Sequence, residues 1–276
     1  MYPTPYQELN HVLFDFGSRL QDILGDYFIG AYLQGSFAVG DFDQDSDVDF
    51  IVVIEEGLTT PQVGALQVMH EQVYQLNSEW AKHLEGSYFP REILRDHSMI
   101  GKQLWYLDHG ARSLLRSDHC NSIVVRWTLR EKGVILAGLQ PKTLVDPIPE
   151  ELLRAEIFET LTKWGEEILD DPSQYNNLFY QSFIVLSYCR MLHDLFRGYP
   201  GSKREGAEWV KSVPREAGLA LDPSWSNLID GAWDGRPNPA QKVQQPADVE
   251  NFEKTLRFIE YVINESRLYL SVNDCT

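Results

Sequence analysis

The sequence predicts an α/β domain followed by an all-helical domain, because its hydrophobic pattern changes near residue 150. Before that point, short apolar runs rich in β-branched residues alternate with segments of helical periodicity. After "LVDPIPEE", every apolar segment has helical spacing. A length of 276 residues suits two modest domains with a boundary at about this position.

The first half contains four predicted strands and three predicted helices. The strands are "FIGAYLQG", which ends at Gly35, then "VDFIVVI", "LEGSYFP" and "GVILAG". The helices are "YQELNHVLFDFGSRLQDIL", "SIVVRWTLREK" and, between them, "TTPQVGALQVMHEQVYQLNSEWAKH", where Pro61 follows a threonine cap. This alternation is typical of an α/β domain.

The second half contains four predicted helices. Apolar residues mark one face of the first helix, namely Leu152, Leu153, Ile157, Phe158, Leu161, Trp164 and Ile168. "NLFYQSFIVLSYCRMLHDLF" is the second, and "SKREGAEWVKSV" opens the third with a capping box of Ser202 and Glu205. "GRPNPAQKVQQP" is predicted to be a loop. The last helix has an apolar side formed by Val249, Phe252, Leu256, Ile259 and Ile263.

The composition limits the classes of partner. A formal charge of −17 and a pI of about 4.8 argue against a nucleic-acid partner, since such binding needs basic patches, and suit a cationic small molecule. Cys120, Cys189 and Cys275 form no CxxC motif and no plausible zinc set. With no signal peptide and no apolar run long enough to span a membrane, we expect a cytoplasmic protein without a membrane partner.

The stretch "GDFDQDSDVDFIVV" carries an aspartate at every second position. In one continuous strand these side chains would share a face, where neighbours about 6 Å apart repel by roughly 3 kcal/mol at an effective dielectric constant of about 20. Such a strand would need a cation among its carboxylates. The aspartates are Asp41, Asp43, Asp45, Asp47 and Asp49.

Two cations are candidates for this stretch, Ca²⁺ and Mg²⁺. A calcium loop of the EF-hand type fails, because Ser46 stands at the glycine position and Val52 where a bidentate glutamate belongs. Mg²⁺ fits better, because Asp47 and Asp49 stand two apart at the head of an apolar strand. Asp41, Asp43 and Asp45 are also explained as ordinary turn residues.

A Gly-Ser turn precedes the aspartates by about ten residues. Gly35 and Ser36 end the strand "FIGAYLQG", and exposed backbone N–H groups and a hydroxyl at such a turn can hold a phosphate. A Gly-Ser turn beside a strand with paired aspartates is a minimal arrangement for placing a nucleoside triphosphate on a metal ion.

These motifs resemble the polymerase-β-like nucleotidyltransferases. "GSFAVGDFDQDSDVDF" is similar to that superfamily's signature, a Gly-Ser followed by Asp-x-Asp. Further segments, "EGSYFPREILR", "TLREKGVILAGLQPKTLVDPIP" and "SKREGAEWV", resemble the aminoglycoside adenylyltransferases of the streptomycin/spectinomycin type. The resemblance implies an α/β (α+β) nucleotidyltransferase domain with a mixed sheet over residues 1–150 and an all-α helical bundle over residues 151–276.

The resemblance also implies an activity, the transfer of AMP from ATP to a hydroxyl of an aminoglycoside-type antibiotic with Mg²⁺. Ser36, beside Gly35, resembles the serine that contacts the triphosphate. Asp47 and Asp49 resemble the Mg²⁺ ligands, and Glu85 aligns with a third carboxylate that completes this set and acts as the catalytic base. In the helical half, Arg190 and Lys203 resemble the phosphate-contacting cations.

Ordinary structural explanations compete with three of these roles. Glu85 could be an exposed acid at a strand end, although a carboxylate beside two metal-binding carboxylates suits a proton acceptor. Lys203 lies in the first turn of a capped helix, where the helix dipole disfavours a cation, so an anionic partner is an alternative to a solvated face. Arg190, inside an apolar helix, needs a partner, and a structural salt bridge would serve.

The residues predicted to contact the acceptor depart from the family pattern. The places where streptomycin-modifying members carry acidic residues hold Asn176 and Tyr180, and the family's drug-stacking tryptophan has no clear counterpart. Two other functions therefore stay open: modification of a protein side chain or another small molecule, and non-catalytic nucleotide sensing. The intact acidic residues disfavour a sensor.

Overall fold

The structure is a computed structural model that describes residues 2–212, 224–237 and 239–273. The chain divides into two compact units, Met1–Ile148 and Pro149–Thr276. Each unit has its own hydrophobic core and is described by itself.

The first unit is built on one six-stranded sheet with the order β5-β4-β3-β2-β1-β6. The pair β2 and β3 is parallel and every other neighbouring pair is antiparallel, so the predicted mixed sheet is confirmed. The strands are β1 (Phe28–Leu33), β2 (Val48–Ile54), β3 (Leu84–Pro90), β4 (Leu104–Leu107), β5 (Leu115–Ser117) and β6 (Val134–Gly138).

Local sequence explains where the helices of the first unit begin. Thr59 and Gln62 form a reciprocal capping box at the start of α3, and the Ser122 side chain caps α5. Gly40 ends α2 in the left-handed conformation, with φ of 79°. The helices are α1 (Gln7–Leu24), α2 (Gly35–Val39), α3 (Thr60–Tyr74), α4 (Arg91–Arg95) and α5 (Ile123–Lys132).

The central strands are buried on both faces of the sheet. Alternate residues of β2 point to opposite sides, so Phe50 packs with Phe16 of α1 and Leu66 of α3. Ile51 lies in a second core cluster on the other face, together with Leu129 of α5. Burial on both faces explains why β2 is a continuous apolar run.

The second unit contains helices and no strand among its described residues, and α7 is the central one. This helix packs against α6, α8, α9 and α11. Asn177 caps its first turn, and Gly198 ends it with φ of 74°. The helices are α6 (Glu150–Asp170), α7 (Leu178–Arg197), α8 (Lys203–Ser212), α9 (Ser224–Asp234), α10 (Pro239–Lys242) and α11 (Val249–Asn273).

Two residues predicted to face a core are exposed. Leu152 is 42% exposed and Val249 is 74% exposed. Leu152 and Val249 each lie in the first turn of a helix. Beside Leu152, Leu153 takes the buried position. Five elements were not predicted, namely β4, β5, α2, α4 and α9, and the segment predicted to be a loop contains α10.

Two further expectations concern cysteines and membranes. Cys120 and Cys189 are buried free thiols, and Cys275 lies outside the described residues. Within the described ranges, no helix has the length and apolar character required to cross a membrane.

Candidate functional site

The run of aspartates is mostly a loop and not a strand. Because β2 begins at Val48, Asp49 is the only one of the five aspartates in a strand of the described chain. Asp43 organises the preceding turn, where its carboxylate accepts hydrogen bonds from the Asp45 N–H at 3.0 Å and the Ser46 hydroxyl at 3.2 Å. Asp43 thus serves as a turn residue, and the five carboxylates avoid the stacking that a continuous strand would impose.

The parallel register of β2 and β3 brings two acidic side chains together. Asp49 is paired with Glu85 across these strands, and Val48 with Leu84. Directly before the pairing starts, the Val48 N–H donates to the carbonyl oxygen of His83 at 2.8 Å, which places Asp47 next to His83. Asp49 lies two residues before Ile51 and therefore points to the same side of the sheet. The carboxylates of Asp49 and its partner Glu85 thus lie at the end of the sheet face that α5 covers.

Glu85 is held by hydrogen-bonding neighbours from β4 and from the chain just after β5. Its side chain is 13% exposed, and the Tyr106 hydroxyl donates a hydrogen bond to Oε1 at 2.5 Å. His119 Nε2 lies 3.4 Å from the same oxygen, and its hydrogen bond to Glu85 raises the pKa of His119. Burial, followed by the Glu85 contact, raises the pKa of Tyr106, which therefore stays a hydrogen-bond donor.

Asp47 lies at the solvent edge of the same group. Its side chain is 50% exposed, and its Oδ1 is 2.7 Å from Nδ1 of His109. This hydrogen bond raises the pKa of His109, whereas burial lowers the pKa of His83. Asp47, His83 and His109 each present a ligand atom, and these three atoms lie within 4.8 Å of one another.

The Gly-Ser turn lies directly against Asp49. The Gln34 N–H donates to the Asp49 carbonyl oxygen at 3.0 Å, and Gly35 has φ of 56°. A Cβ atom on Gly35 would overlap the Asp49 carboxylate, so this position requires glycine both for its conformation and for space. The Ser36 hydroxyl oxygen is buried and has no hydrogen-bond partner within the described part of the chain.

The two predicted cations lie in the second unit on helices that pack closely. Gly206 of α8 approaches the backbone of α7 at Arg190, where a Cβ atom would clash. Lys203, the first residue of α8, places Nζ 4.0 Å above the centre of the Phe183 ring. Arg190 is half-buried, and its charge opposes the rise that burial produces in the pKa of Asp194.

The two positions that depart from the family pattern lie at the start of α7. Asn176 is exposed before the helix, and Tyr180 is half-buried in its first turn. The Tyr180 ring packs against the rings of Tyr175 and Phe179, with centroids 5.1 and 5.2 Å away. This end of α7 therefore presents aromatic and amide groups and no carboxylate from these two positions.

Sequence reasoning missed the side chains that surround the carboxylates. His83 stands two residues before Glu85 as Asp47 stands two before Asp49, so strand periodicity could have indicated His83. Tyr106 and His109 belong to β4 and the turn after it, and His119 follows β5. Neither strand was predicted, and their contribution to the site depends on sheet order.

Asp49 is the register partner of Glu85 and lies against Gly35 at the start of α2, and Asp47 stands two residues before Asp49. Oxygen ligands of this kind suit Mg²⁺ shared with phosphate groups. A buried hydroxyl without a partner and a glycine pressed against a carboxylate are both features of a turn shaped to receive another group. The site has the parts needed to hold a metal–phosphate ligand and to accept a proton.

Two family models match the chain. A nucleotidyltransferase domain matches residues 18–97, and the C-terminal domain of aminoglycoside adenylyltransferases matches residues 143–255. None of the curated proteins compared with the sequence matches it.

The fold is similar to that of the spectinomycin adenyltransferase AAD(9) from Enterococcus faecialis, whose crystal structure contains ATP and spectinomycin. The TM-score is 0.63 and the sequence identity 15%, and the match covers 92% of this chain and 98% of the other.

Proposed function

Because the chain belongs to the aminoglycoside nucleotidyltransferases, we propose that it transfers AMP from ATP, in the presence of Mg²⁺, to a hydroxyl group of an aminoglycoside-type antibiotic. The observation that carries this proposal is the register pairing of Asp49 with Glu85. Asp47 lies one residue before β2, and Gly35 of the Gly-Ser segment lies against Asp49. Residues 1–150 would supply the nucleotidyltransferase domain and residues 151–276 the helical bundle domain.

The residues present fit a Mg²⁺ ion. Asp47 and Asp49 would hold it, with Glu85 alongside, and their oxygen atoms are the donors that Mg²⁺ prefers. When bound, the ion would neutralise part of the negative charge on the phosphates. The Asp49 carboxylate lies directly against Gly35, where a Cβ atom would overlap it.

The remaining residues of the turn and the bundle would bind and orient the nucleotide. The unpartnered Ser36 hydroxyl can donate to a phosphate oxygen. Arg190 and Lys203 would contribute positive charge toward the phosphates, where hydrogen bonds between charged groups are roughly twice as strong as neutral ones. Positioning and charge complementarity of this kind supply most of the acceleration in phosphoryl transfer.

Glu85 would act as the general base. The acceptor hydroxyl oxygen forms a bond to the α-phosphorus of ATP as the bond from that phosphorus to the β-phosphate oxygen breaks, and pyrophosphate leaves. Glu85 takes the hydroxyl proton on its carboxylate, which Tyr106 and His119 hold in place through Oε1. The products are the O-adenylylated acceptor and pyrophosphate.

A cationic acceptor agrees with the charge of the chain. A net charge of −17 raises the local concentration of small cations near the protein. The structural relative contains ATP and spectinomycin, which supports ATP as the donor and an antibiotic of this kind as the acceptor. Asn176 and Tyr180 in place of acidic residues favour an acceptor with fewer ammonium groups on the side that would meet α7.

The experiment is a transfer assay with ATP labelled in its α-phosphate, Mg²⁺ and a panel of aminoglycosides, resolved by thin-layer chromatography. We expect a labelled drug adduct with at least one member of the panel and none when Mg²⁺ is chelated. Label transferred to protein and to no drug would overturn the proposed acceptor. Absence of any transfer at saturating ATP would overturn the proposed reaction.

A further inference from the structure

Two imidazole rings stand beside Asp47, and the proposed transfer reaction uses neither of them. His83 and His109 lie with their ring centroids 5.2 Å apart in an edge-to-face arrangement. Each ring offers a nitrogen within 4.8 Å of the other and of an Asp47 oxygen. We propose that Asp47, His83 and His109 form a binding site for a divalent transition-metal ion of the Zn²⁺ and Co²⁺ class.

Sheet register explains why these three residues meet. The hydrogen bond from the Val48 N–H to the His83 carbonyl oxygen, at 2.8 Å, fixes His83 beside the residue that precedes β2. On the far side of β3, Leu107 pairs with Gly86, so the chain after β4 runs back toward the start of β3. A turn that contains Gly110, with φ of 68°, then presents His109 to Asp47.

The donor atoms are close enough to converge on one ion. Four ligands about 2.0 Å from a tetrahedral ion are about 3.3 Å from one another. The contact of 2.7 Å between Asp47 Oδ1 and His109 Nδ1 is a hydrogen bond shorter than this spacing, so metal binding would replace the Nδ1 proton and move the two atoms about 0.6 Å apart. Both side chains are exposed enough to rotate. His83 Nδ1 is buried and lacks a hydrogen-bond partner within the described ranges, so this atom would not have to give up a hydrogen bond to bind a metal ion.

The donor set determines the class of metal. Two imidazole nitrogens and one carboxylate suit Zn²⁺, Co²⁺ or Ni²⁺, whereas Mg²⁺ prefers oxygen ligands. The three protein ligands leave positions for water, as in open zinc sites. The site is thus distinct in chemistry from the carboxylate set that would hold Mg²⁺, although both include Asp47.

Sharing Asp47 makes the two metals competitors, and only this consequence rests on the proposed function. A transition-metal ion that holds the Asp47 carboxylate withdraws it from Mg²⁺ and ATP. The ion would therefore act as an inhibitor that a chelator reverses. Mg²⁺ alone would displace it poorly, because Mg²⁺ gains little from the two imidazoles.

The test is titration of the metal-free full-length chain with Co²⁺, followed by its visible absorption. We expect one site whose affinity falls at least about tenfold in His83→Gln, His109→Gln and Asp47→Asn, since each removes a ligand. His11→Gln is the matched control, because His11 is an exposed histidine on α1 outside this group, and its titration should equal that of the parent. Equal Co²⁺ affinity in the parent and the His83 and His109 variants would overturn the site.

A measurement on the unmodified chain avoids any effect of the substitutions on folding. Diethyl pyrocarbonate labels accessible imidazoles, and mass spectrometry identifies the labelled residues. Zn²⁺ should protect His109 and His83 while His11 keeps its label, and millimolar Mg²⁺ should not. Equal labelling with and without Zn²⁺ would overturn the proposal, whether or not the chain transfers AMP. Conversely, a failed transfer assay with intact Co²⁺ binding would leave the metal site standing.

Discussion

Asp49 and Glu85 are register partners on the parallel strands β2 and β3, so one strand alignment sets the distance between two carboxylates of the site. The same alignment sets His83 beside Asp47. A one-residue slip of this register would move Glu85 to the other face of the sheet, because side chains alternate along a strand. The apolar residues that follow in both strands therefore fix the site as well as the core.

Removing either aspartate charge should stop Mg²⁺-dependent turnover. Asp47→Asn and Asp49→Asn keep the size of the side chain and remove a metal-binding charge, so activity should be lost while the fold is kept. Asp45→Asn, an exposed aspartate in the same loop, is the control and should keep its activity. The assay is ATP turnover at saturating Mg²⁺ with circular dichroism as the check on folding. Full activity in Asp47→Asn or Asp49→Asn would contradict the metal assignment.

Gly35→Ala should damage the site more than a similar change at the other end of α2. The new methyl group would overlap the Asp49 carboxylate in a backbone with φ of 56°. Displacement of a positioned group by about 1 Å can cost about 10²-fold in rate, and we expect a loss of that order. Gly40→Ala carries similar backbone strain, with φ of 79°, but meets no atom within 4 Å. Single-turnover rates that fall equally in both variants would show that strain alone is responsible.

Lys203→Gln should weaken ATP binding if this cation contacts the phosphates. A hydrogen bond to a charged group is worth about 1.5–3 kcal/mol, which corresponds to roughly 10- to 100-fold in affinity. Lys211→Gln is the control on the same helix, because Lys211 forms an ion pair with Asp230 at 2.6 Å. Calorimetric titration with ATP and Mg²⁺ measures both. Unchanged affinity in Lys203→Gln would contradict the phosphate-binding role proposed for Lys203.

His70 should make the stability of the first unit dependent on pH. Burial lowers its pKa from 6.5 to about 3, so the unfolded chain binds a proton more readily than the folded one. The stability linked to His70 is therefore complete above about pH 6.5 and is lost as the pH falls toward 3. Between pH 8 and pH 5 the loss from this group is about 2 kcal/mol.

The measurement for His70 compares the parent with His70→Gln, which does not titrate and can still bond to the Tyr88 hydroxyl, now 2.7 Å from Nε2. Denaturation midpoints at several pH values should show a shallower loss on acidification in the variant. The absolute stability of the variant does not enter the comparison. Parallel pH profiles would show that His70 is not the responsible group.

The sequence shows β2 and β3 clearly because both are buried runs bounded by turns. Asp49, at the head of β2, could be placed on a strand from this pattern alone. β4 and β5 could not be predicted, since "LWYL" and "LRS" are too short to show a period of two. Tyr106 and His109 depend on these strands, so their place beside Glu85 and Asp47 follows from sheet order and not from any local motif.

The measurement that tests the central claim most directly is ATP affinity and single-turnover rate in Glu85→Gln. The substitution keeps the size of the side chain and a hydrogen-bond acceptor for Tyr106 but removes basicity. We expect ATP to bind nearly as well as in the parent and turnover to fall by about 10²- to 10⁴-fold, the usual contribution of a general base. Weaker Mg²⁺-dependent ATP binding together with lost turnover would indicate a metal ligand instead. Unchanged affinity and unchanged rate would contradict the account at its centre.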